Sequence, residues 1–256
     1  MYFRLHPAVC AAAPGIFMRG RDCAPKTDAW VWLALNAYTS QLPREHRDYS
    51  FEGDLPCVTV PYHAGKVISQ LRGERSSRAG SFTGNEWRDL SGALQRLETM
   101  DPAFPISVRG GSKHTRFKGP LVQRGISDKA ITLRACPPKS GNYFVLLPYR
   151  IFDLRPMLGE TATAALLRFG YLHRGRKART PGARLQHKWQ FDVNKDELEL
   201  LGLLRFGRGR VGEAWKRLLS ALEELSGADV LSFELDGEHA HIALSQDFFH
   251  HDEETT

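Results

Sequence analysis

The sequence contains little cysteine. Its four cysteines stand far apart among 256 residues, at Cys10, Cys23, Cys57 and Cys136. Because no two of them form a C-x-x-C pair, the pattern excludes a zinc knuckle and a small disulfide scaffold. We therefore expect reduced thiols, which are typical of a cytoplasmic protein.

Long hydrophobic runs and a secretory signal are missing as well. No stretch approaches the ~20 consecutive apolar residues that a membrane-spanning helix needs. Pro7 and Pro14 interrupt the mildly apolar N-terminal segment, and no cationic start precedes it. We expect neither export nor a membrane partner, and hence a cytoplasmic location.

The excess of one charge sign is small. Lys and Arg number 35 against 29 Asp and Glu, which gives a formal net charge of +6. With 42% hydrophobic and 25% charged residues, the composition is that of a globular protein that folds in water and tolerates an anionic partner. The chain is longer than a usual domain of ~100–200 residues. We therefore predict two domains, residues 1–149 and residues 150–256, the second ending in a short acidic tail.

Two similar helices are the most informative pattern that is present. EWRDLSGALQRLE and EAWKRLLSALEEL repeat a Trp, a basic residue and a leucine ladder, with Trp87 and Trp215 in equivalent places. On a helical wheel each Trp heads an apolar stripe about 80° wide, which must pack inward. Thr83 and Glu86 form the sequence of a capping box before the first of these helices. We predict buried tryptophans and outward-facing polar residues on both helices.

The elements around each ladder follow the same order. A shorter amphipathic helix precedes the ladder across a basic turn, and extended segments that fold back as a hairpin follow it. In the second half the hairpin turn contains Asp236 and Gly237. Helix, turn, helix and hairpin is the order of a winged helix, whose second helix enters the DNA major groove. The sequence thus predicts an α+β protein made of two tandem winged-helix domains.

Candidate DNA contacts lie on the outward helix faces and in neighbouring basic segments. Residues 174–188 contain six Lys or Arg and no Asp or Glu, and residues 109–134 contain seven basic residues and one Asp. Lys and Arg in such segments neutralise phosphates, whereas Arg or Asn near a helix start suits base edges. The predicted DNA-binding residues are Arg72, Arg75, Arg78, Asn85, Arg88, Arg116, Lys118, Arg174, Arg176, Lys177, Arg208, Arg210, Lys216 and Arg217.

Three longer segments carry a family resemblance. They are YFVLLPYRIFDL leading into ETATAALLRFGYLHRG, the helix RVGEAWKRLLSALEEL, and the hairpin DVLSFELDGEHAHIAL. In these segments and in domain order, residues 28–246 resemble the tandem winged-helix replication initiators of iteron plasmids, of the RepC-like and TrfA-like kind. The resemblance implies binding to repeated double-stranded DNA sites at an origin, local melting, and recruitment of host replication proteins such as a helicase or initiator. The sequence leaves both a monomer and a homodimer open. The long turn at residues 73–82 departs from the family pattern and affects how the first domain would dock.

Two sharper motifs indicate other chemistry but lack its context. GRGRVG, at residues 207–212, matches a dinucleotide-binding fingerprint, yet too few residues follow it to complete a parallel nucleotide-binding sheet. His239 and His241 share one face of a strand, as metal ligands of nicking enzymes do, but every tyrosine precedes them, the last at Tyr171. We expect no catalytic residue, no metal and no cofactor.

The sequence therefore favours a sequence-specific double-stranded DNA-binding protein, namely a plasmid replication initiator without enzymatic activity. A winged-helix transcriptional repressor is the alternative that the same pattern allows. A metal-dependent nicking initiator of the rolling-circle type is the alternative from another class. Two tandem DNA-reading domains without a ligand-binding domain favour the initiator over the repressor.

Overall fold

The structure alternates helices with short antiparallel strands. The computed structural model describes residues 1–17, 24–52, 55–73, 82–100, 106–110, 113–117, 119–137, 144–173, 176–177, 185–194, 198, 211–237 and 239–249. The helices of the first half are α1 (Pro7–Phe17), α2 (Pro25–Gln41), α3 (Ala64–Leu71) and α4 (Gly84–Thr99). Its strands are β1 (Tyr2–Leu5), β2 (Asp48–Glu52), β3 (Leu55–Pro61), β4 (Ile106–Gly110), β5 (Lys113–Phe117), β6 (Val122–Arg124), β7 (Ala130–Arg134) and β8 (Val145–Pro148).

A 3₁₀ turn, Tyr149–Leu154, leads into the second half; another, Arg44–His46, precedes β2. The helices of the second half are α5 (Glu160–His173), α6 (Val211–Gly227) and the short α7 (Gln246–Phe249). Its strands are β9 (Arg176–Lys177), β10 (Leu185–Gln186), β11 (Gln190–Val193), β12 (Leu231–Asp236) and β13 (His239–Leu244). The segment NKDELELLGLL, residues 194–204, is the shorter helix predicted before the second ladder, and only its Asn194 and Leu198 fall within the described residues.

Two antiparallel sheets repeat one strand order. In the sheet β2–β3–β7–β6, strand β3 comes before α3 and α4 and pairs with β7, the second strand of the β6–β7 hairpin. The β4–β5 pair lies between α4 and that hairpin in the chain. In the sheet β11–β13–β12, strand β11 comes before α6 and pairs with β13 in the same way. Two-stranded pairs form between β1 and β8, β4 and β5, and β9 and β10. The fold is therefore mixed α+β, as the sequence predicts.

The capping box predicted before α4 is confirmed. The Thr83 hydroxyl accepts a hydrogen bond from the Glu86 amide at 3.3 Å, and the Glu86 carboxylate accepts one from the Thr83 amide at 2.7 Å. These bonds satisfy amide groups that the start of a helix otherwise leaves unpaired. The start of α4 is therefore fixed by its own sequence.

Helix α5 is buried along most of its length and contacts both halves. Ten of its 14 residues are buried, so it lies inside the core rather than on its surface. It packs against α1 and α2 of the first half and against α6 of the second. Gly170 lets β8 approach, because a Cβ there would lie 3.1 Å from Leu147 Cδ2. One cluster of buried hydrophobic residues therefore extends across the predicted boundary at 149/150.

A buried carboxylate joins α2 to α4. The side chain of Asp28 is fully buried, and it accepts hydrogen bonds from Arg96 Nη2 at 2.8 Å and from the Ala24 amide at 2.9 Å. Loss of one partner of such a pair leaves a buried charge and typically costs about 3–5 kcal/mol. The same guanidinium occupies the space beside Gly92, where a Cβ would lie 3.2 Å from Arg96 Nη1. The crossing of α2 and α4 is therefore set by a charge pair as well as by apolar packing.

An aromatic cluster surrounds the C-terminal end of α5. His173 is 1% exposed, and its Nδ1 lies 3.0 Å from the carbonyl oxygen of Lys188. Rings lie around it at centroid distances of 4.3 Å for Trp189, 4.8 Å for His187 and 5.1 Å for Phe249. Burial lowers the pKa of His173 from 6.5 to about 4, and His187 adds to the effect, while the hydrogen bond with Lys188 opposes it.

We expect this histidine to make the fold sensitive to mild acid. Because its pKa is lowered, the unfolded chain binds more protons than the folded chain between about pH 6.5 and about pH 4. Its contribution to the free energy of unfolding is complete above that window and falls by on the order of 3 kcal/mol across it. Urea unfolding at about pH 7.5 and about pH 4 should show a smaller acid loss for His173→Gln than for the parent. His46→Gln, at an exposed position, should behave like the parent. Equal losses in all three proteins would contradict the prediction.

Candidate nucleic-acid interface

Helix α4 presents a polar face opposite its buried stripe. The buried side chains of this helix are Leu90, Ala93, Leu94 and Leu97. Asn85 and Arg88 are exposed near the start of the helix, and Arg88 Nη1 donates to Asn85 Oδ1 at 3.3 Å. The two predicted contact residues of α4 therefore lie together on its exposed face, and the inward direction predicted for the leucines is confirmed.

The prediction that Trp87 is buried is wrong. Its side chain is 45% exposed. Trp87 lies in the first turn of α4, and its ring packs edge-on against Phe82 with centroids 5.9 Å apart. Its counterpart Trp215 is half-buried and packs against the core. The wheel position of a residue predicts the direction of its side chain, but burial also requires another element to cover that end of the helix.

Arg72 joins α3 to the start of α4. Its Nε and Nη2 donate to the two carboxylate oxygens of Glu86 at 2.6 and 2.7 Å, and its guanidinium lies 5.0 Å from the centroid of Phe82. The Arg72 hydrogen bonds, followed by those from Thr83, lower the pKa of Glu86 from 4.5 to about 2. The charge of Arg72 is thus matched by a neighbouring carboxylate. In the structure Arg72 orients the start of α4 through Glu86.

Helix α6 presents two cations on its exposed face. Its buried side chains are Ala214, Leu218, Ala221, Leu222 and Leu225. Lys216 and Arg217 are exposed in the first half of the helix, and Glu223 is exposed in the second half. The outward positions predicted for Lys216 and Arg217 are therefore confirmed. Glu213 is exposed in the first turn, so the two cations lie between carboxylates toward both ends of this face.

Of the other predicted contact residues, three have a described backbone in short strands and six lie outside the described residues. The backbone of Arg116 pairs with Ser107 between β5 and β4, and that of Arg176 pairs with Gln186 between β9 and β10. Lys177 pairs in the same small ladder, opposite Leu185. Six predicted residues lie outside the described part of the chain: Arg75, Arg78, Lys118, Arg174, Arg208 and Arg210.

The β6–β7 hairpin is held against α4 by two residues that the sequence pattern did not single out. Glu98 of α4 accepts hydrogen bonds from Arg124 Nε at 2.7 Å, Arg124 Nη2 at 2.8 Å and the Arg124 amide at 3.0 Å. Arg124 belongs to β6, so the pair fixes the hairpin against the helix. No local motif signals it, because the two residues are 26 positions apart.

The C-terminal hairpin, β12–β13, belongs to a sheet with an acidic outer face. Glu234 and Asp236 of β12 are exposed, and Asp192 on β11 is exposed across the intervening strand β13. His241 pairs across the sheet with both Asp192 and Glu234, and its Nδ1 lies 2.6 Å from Asp192 Oδ1. Gly237 adopts a φ of +59°, which confirms the tight turn predicted there. This face carries negative charge, unlike the exposed face at the start of α6.

We expect Trp87→Ala to destabilise the fold much less than Leu94→Ala. A buried leucine truncated to Ala typically costs about 2–5 kcal/mol, whereas an exposed aromatic loses little burial, so about 1 kcal/mol is expected for Trp87. Urea unfolding of the two variants and the parent measures the difference. A loss at Trp87 equal to that at Leu94 would mean that Trp87 is covered in solution.

Comparisons with known proteins add no relative. No family model matches the chain, and neither a curated protein nor a solved structure matches it. None of the helices among the described residues is long and apolar enough to cross a membrane. In the same part of the chain, no group of three or more His, Cys, Asp or Glu is arranged to hold a metal ion. A function must therefore be inferred from the geometry and charge of the molecule itself.

Proposed function

We propose that the chain forms two tandem winged-helix units and binds double-stranded DNA sequence-specifically. The observation that carries the proposal is the repeated strand order, β3–β7–β6 beside α4 and β11–β13–β12 beside α6. In a winged helix the hairpin follows the helix that reads the major groove. Helix α6 is followed directly by its hairpin, whereas the β4–β5 pair comes between α4 and the β6–β7 hairpin. We assign α4 and α6 to the groove-reading position in the two units. Each has one buried stripe and one exposed polar face, as a groove-reading helix requires.

The first half of α6 is the part that suits DNA. Lys216 and Arg217 are exposed there and outnumber the exposed Glu213, whereas Glu223 is exposed further along the helix. Cations are attracted to phosphates and Arg pairs with guanine, while a carboxylate repels phosphate. We therefore assign the start of α6 to the groove and its end to a position away from the backbone.

The start of α4 offers complementary base-reading groups. An Asn side chain suits the adenine edge and an Arg side chain suits the guanine edge, so Asn85 and Arg88 are assigned to bases. The exposed ring of Trp87 supplies an apolar surface for a thymine methyl group. Arg72 holds this helix start in place through Glu86.

Phosphate contacts of the second unit are assigned to its basic segments rather than to its hairpin. Glu234 and Asp236 make the hairpin unfavourable beside a polyanion. Residues 174–188 and 205–210 supply the cations instead. They include the predicted contacts Arg174, Arg176, Lys177, Arg208 and Arg210.

These features fit a protein that initiates replication of an iteron plasmid. Two DNA-reading helices in one chain suit repeated sites, and the resemblance of residues 28–246 to such initiators points the same way. In this proposal the protein acts in the cytoplasm by binding and deforming DNA, without a catalytic residue, metal or cofactor. Host replication proteins and a second copy of the chain are its expected partners.

A footprint on the DNA flanking the gene tests the proposal. We expect protection of tandem direct repeats that is insensitive to chelator and weakens with salt by a slope of about 0.9 per neutralised phosphate. Protection of a single palindrome would favour a repressor. A covalent protein–DNA adduct formed only with magnesium or manganese would favour a nicking enzyme and make His239 and His241 ligands. Absence of any sequence-specific protection would contradict the proposal.

We expect Lys216→Glu and Arg217→Glu each to weaken specific binding by about 1–3 kcal/mol or more, because each loses a contact and adds repulsion. Thermal unfolding should stay within about 0.5 kcal/mol of the parent, since both side chains are exposed. Arg44→Glu is the matched control, because it changes the net charge equally at an exposed position before β2. An equal loss in the control would mean that net charge alone governs binding. Unchanged affinity in the α6 variants would remove this helix from the interface.

A further inference from the structure

The segment between the two halves is anchored at one end to α3. This connector, residues 153–159, begins beside Gly73, where the backbone has a φ of +72° and a Cβ would lie 2.5 Å from Asp153 Oδ1. Arg155 Nη1 donates to the carbonyl oxygen of Leu71 at 3.1 Å. Burial lowers the pKa of Arg155, while the carboxylates of Asp89 and Glu86 on α4 act in the opposite direction. The first end of the connector therefore lies against the helix pair α3–α4.

The other end of the connector is anchored to α6. The amide of Gly159 donates to Glu224 Oε2 at 2.6 Å. The carbonyl oxygen of Gly159 accepts the first helical hydrogen bond of α5, from the Thr163 amide at 3.0 Å. Gly159 has no side chain with which to cap α5, so Glu224 places a carboxylate at that helix start from a different helix, where negative charge is favourable. Both carboxylate oxygens would lie 3.2 Å from a Cβ at residue 159.

We infer that Glu224 and Arg155 are positioning residues that fix the distance between the two DNA-reading helices. The inference rests on the proposed function. Gly159 lies four positions after Arg155 in the chain, so the two anchor points are at most about 14 Å apart. One anchor holds α3 and faces α4, and the other holds α6. Together with the packing of α5 against α2 and α6, the pair therefore sets the number of base pairs between the half-site read by α4 and the half-site read by α6.

The number of base pairs between two half-sites is a sensitive measure of the distance between α4 and α6. One inserted base pair moves a half-site by about 3.4 Å and rotates it by about 35°. A rigidly spaced protein cannot follow that change without losing contacts, whereas a protein with a loosened connector can. A residue that merely stabilised the fold would lower affinity at every spacing alike.

The experiment is a binding-site selection from a library of random-sequence duplex DNA, run in parallel with the full-length parent, Glu224→Ala and Glu223→Ala. Glu223 is the matched control, because it is an adjacent, exposed carboxylate of the same helix. We expect the parent and Glu223→Ala to enrich two half-sites at one spacing, and Glu224→Ala to enrich the same half-sites at several spacings. On the selected site, one inserted base pair should weaken the parent about ten-fold or more and Glu224→Ala less than about three-fold.

The outcomes separate the inference from the proposed function. A parent that enriches no sequence would contradict the proposed function itself. Two half-sites with an equally sharp spacing preference in the parent and in Glu224→Ala would overturn the inference alone, as would a parent that enriches a single half-site. If Glu224→Ala does not fold, Gly159→Ala replaces it, since its added Cβ crowds the same carboxylate. A spacing preference identical to the parent in that variant would likewise overturn the inference.

Discussion

The burial of α5 is the constraint on which the rest of the structure depends. This helix packs against α1, α2 and α6 and lies close to β8 at Gly170. Because protein interiors are close-packed, a helix enclosed in this way cannot move without repacking its neighbours. The two sheets are therefore joined through a common core rather than by a flexible linker. The exposed faces of α4 and α6 inherit their relative orientation from it.

Paired charges refine that arrangement in the first half. Arg72–Glu86 links α3 to α4, Arg96–Asp28 links α4 to α2, and Arg124–Glu98 links α4 to β6. The Arg72 and Arg124 pairs are partly exposed and add little stability, whereas the Arg96 pair includes the buried carboxylate of Asp28. In all three, bidentate arginine geometry fixes orientation. These three arginines hold α4 in place. A count of charged residues would include them among the cations available to an anionic partner. The net charge of +6 is a poor guide to the cations that remain for such a partner.

Signals that act over a few residues predicted the local elements well. The capping box at Thr83 and the turn at Gly237 both follow from nearest neighbours in the chain. Helical periodicity likewise predicted the exposure of Arg88 and Lys216. Long-range contacts could not be read in this way: β1 pairs with β8 across more than half the chain, and the interruption at Pro7 and Pro14 hid helix α1. Pro7 in fact opens that helix, where its missing amide costs nothing. The pairing of Arg72 and the exposure of Trp87 depend on how α3 and α4 meet, which no single segment encodes.

The acidic outer face of the C-terminal sheet makes the two sides of the second half unequal in charge. Helix α6 packs against β12 on the inner side of this sheet, so Lys216 and Arg217 lie on the opposite side from Glu234 and Asp236. In the proposed DNA-binding function, a polyanion repels the acidic face more strongly and turns the α6 face forward before any contact forms. The fraction of collisions that begin in a productive orientation rises accordingly. This alignment vanishes as the screening length shrinks from about 10 Å at 0.1 M salt to about 3 Å at 1 M.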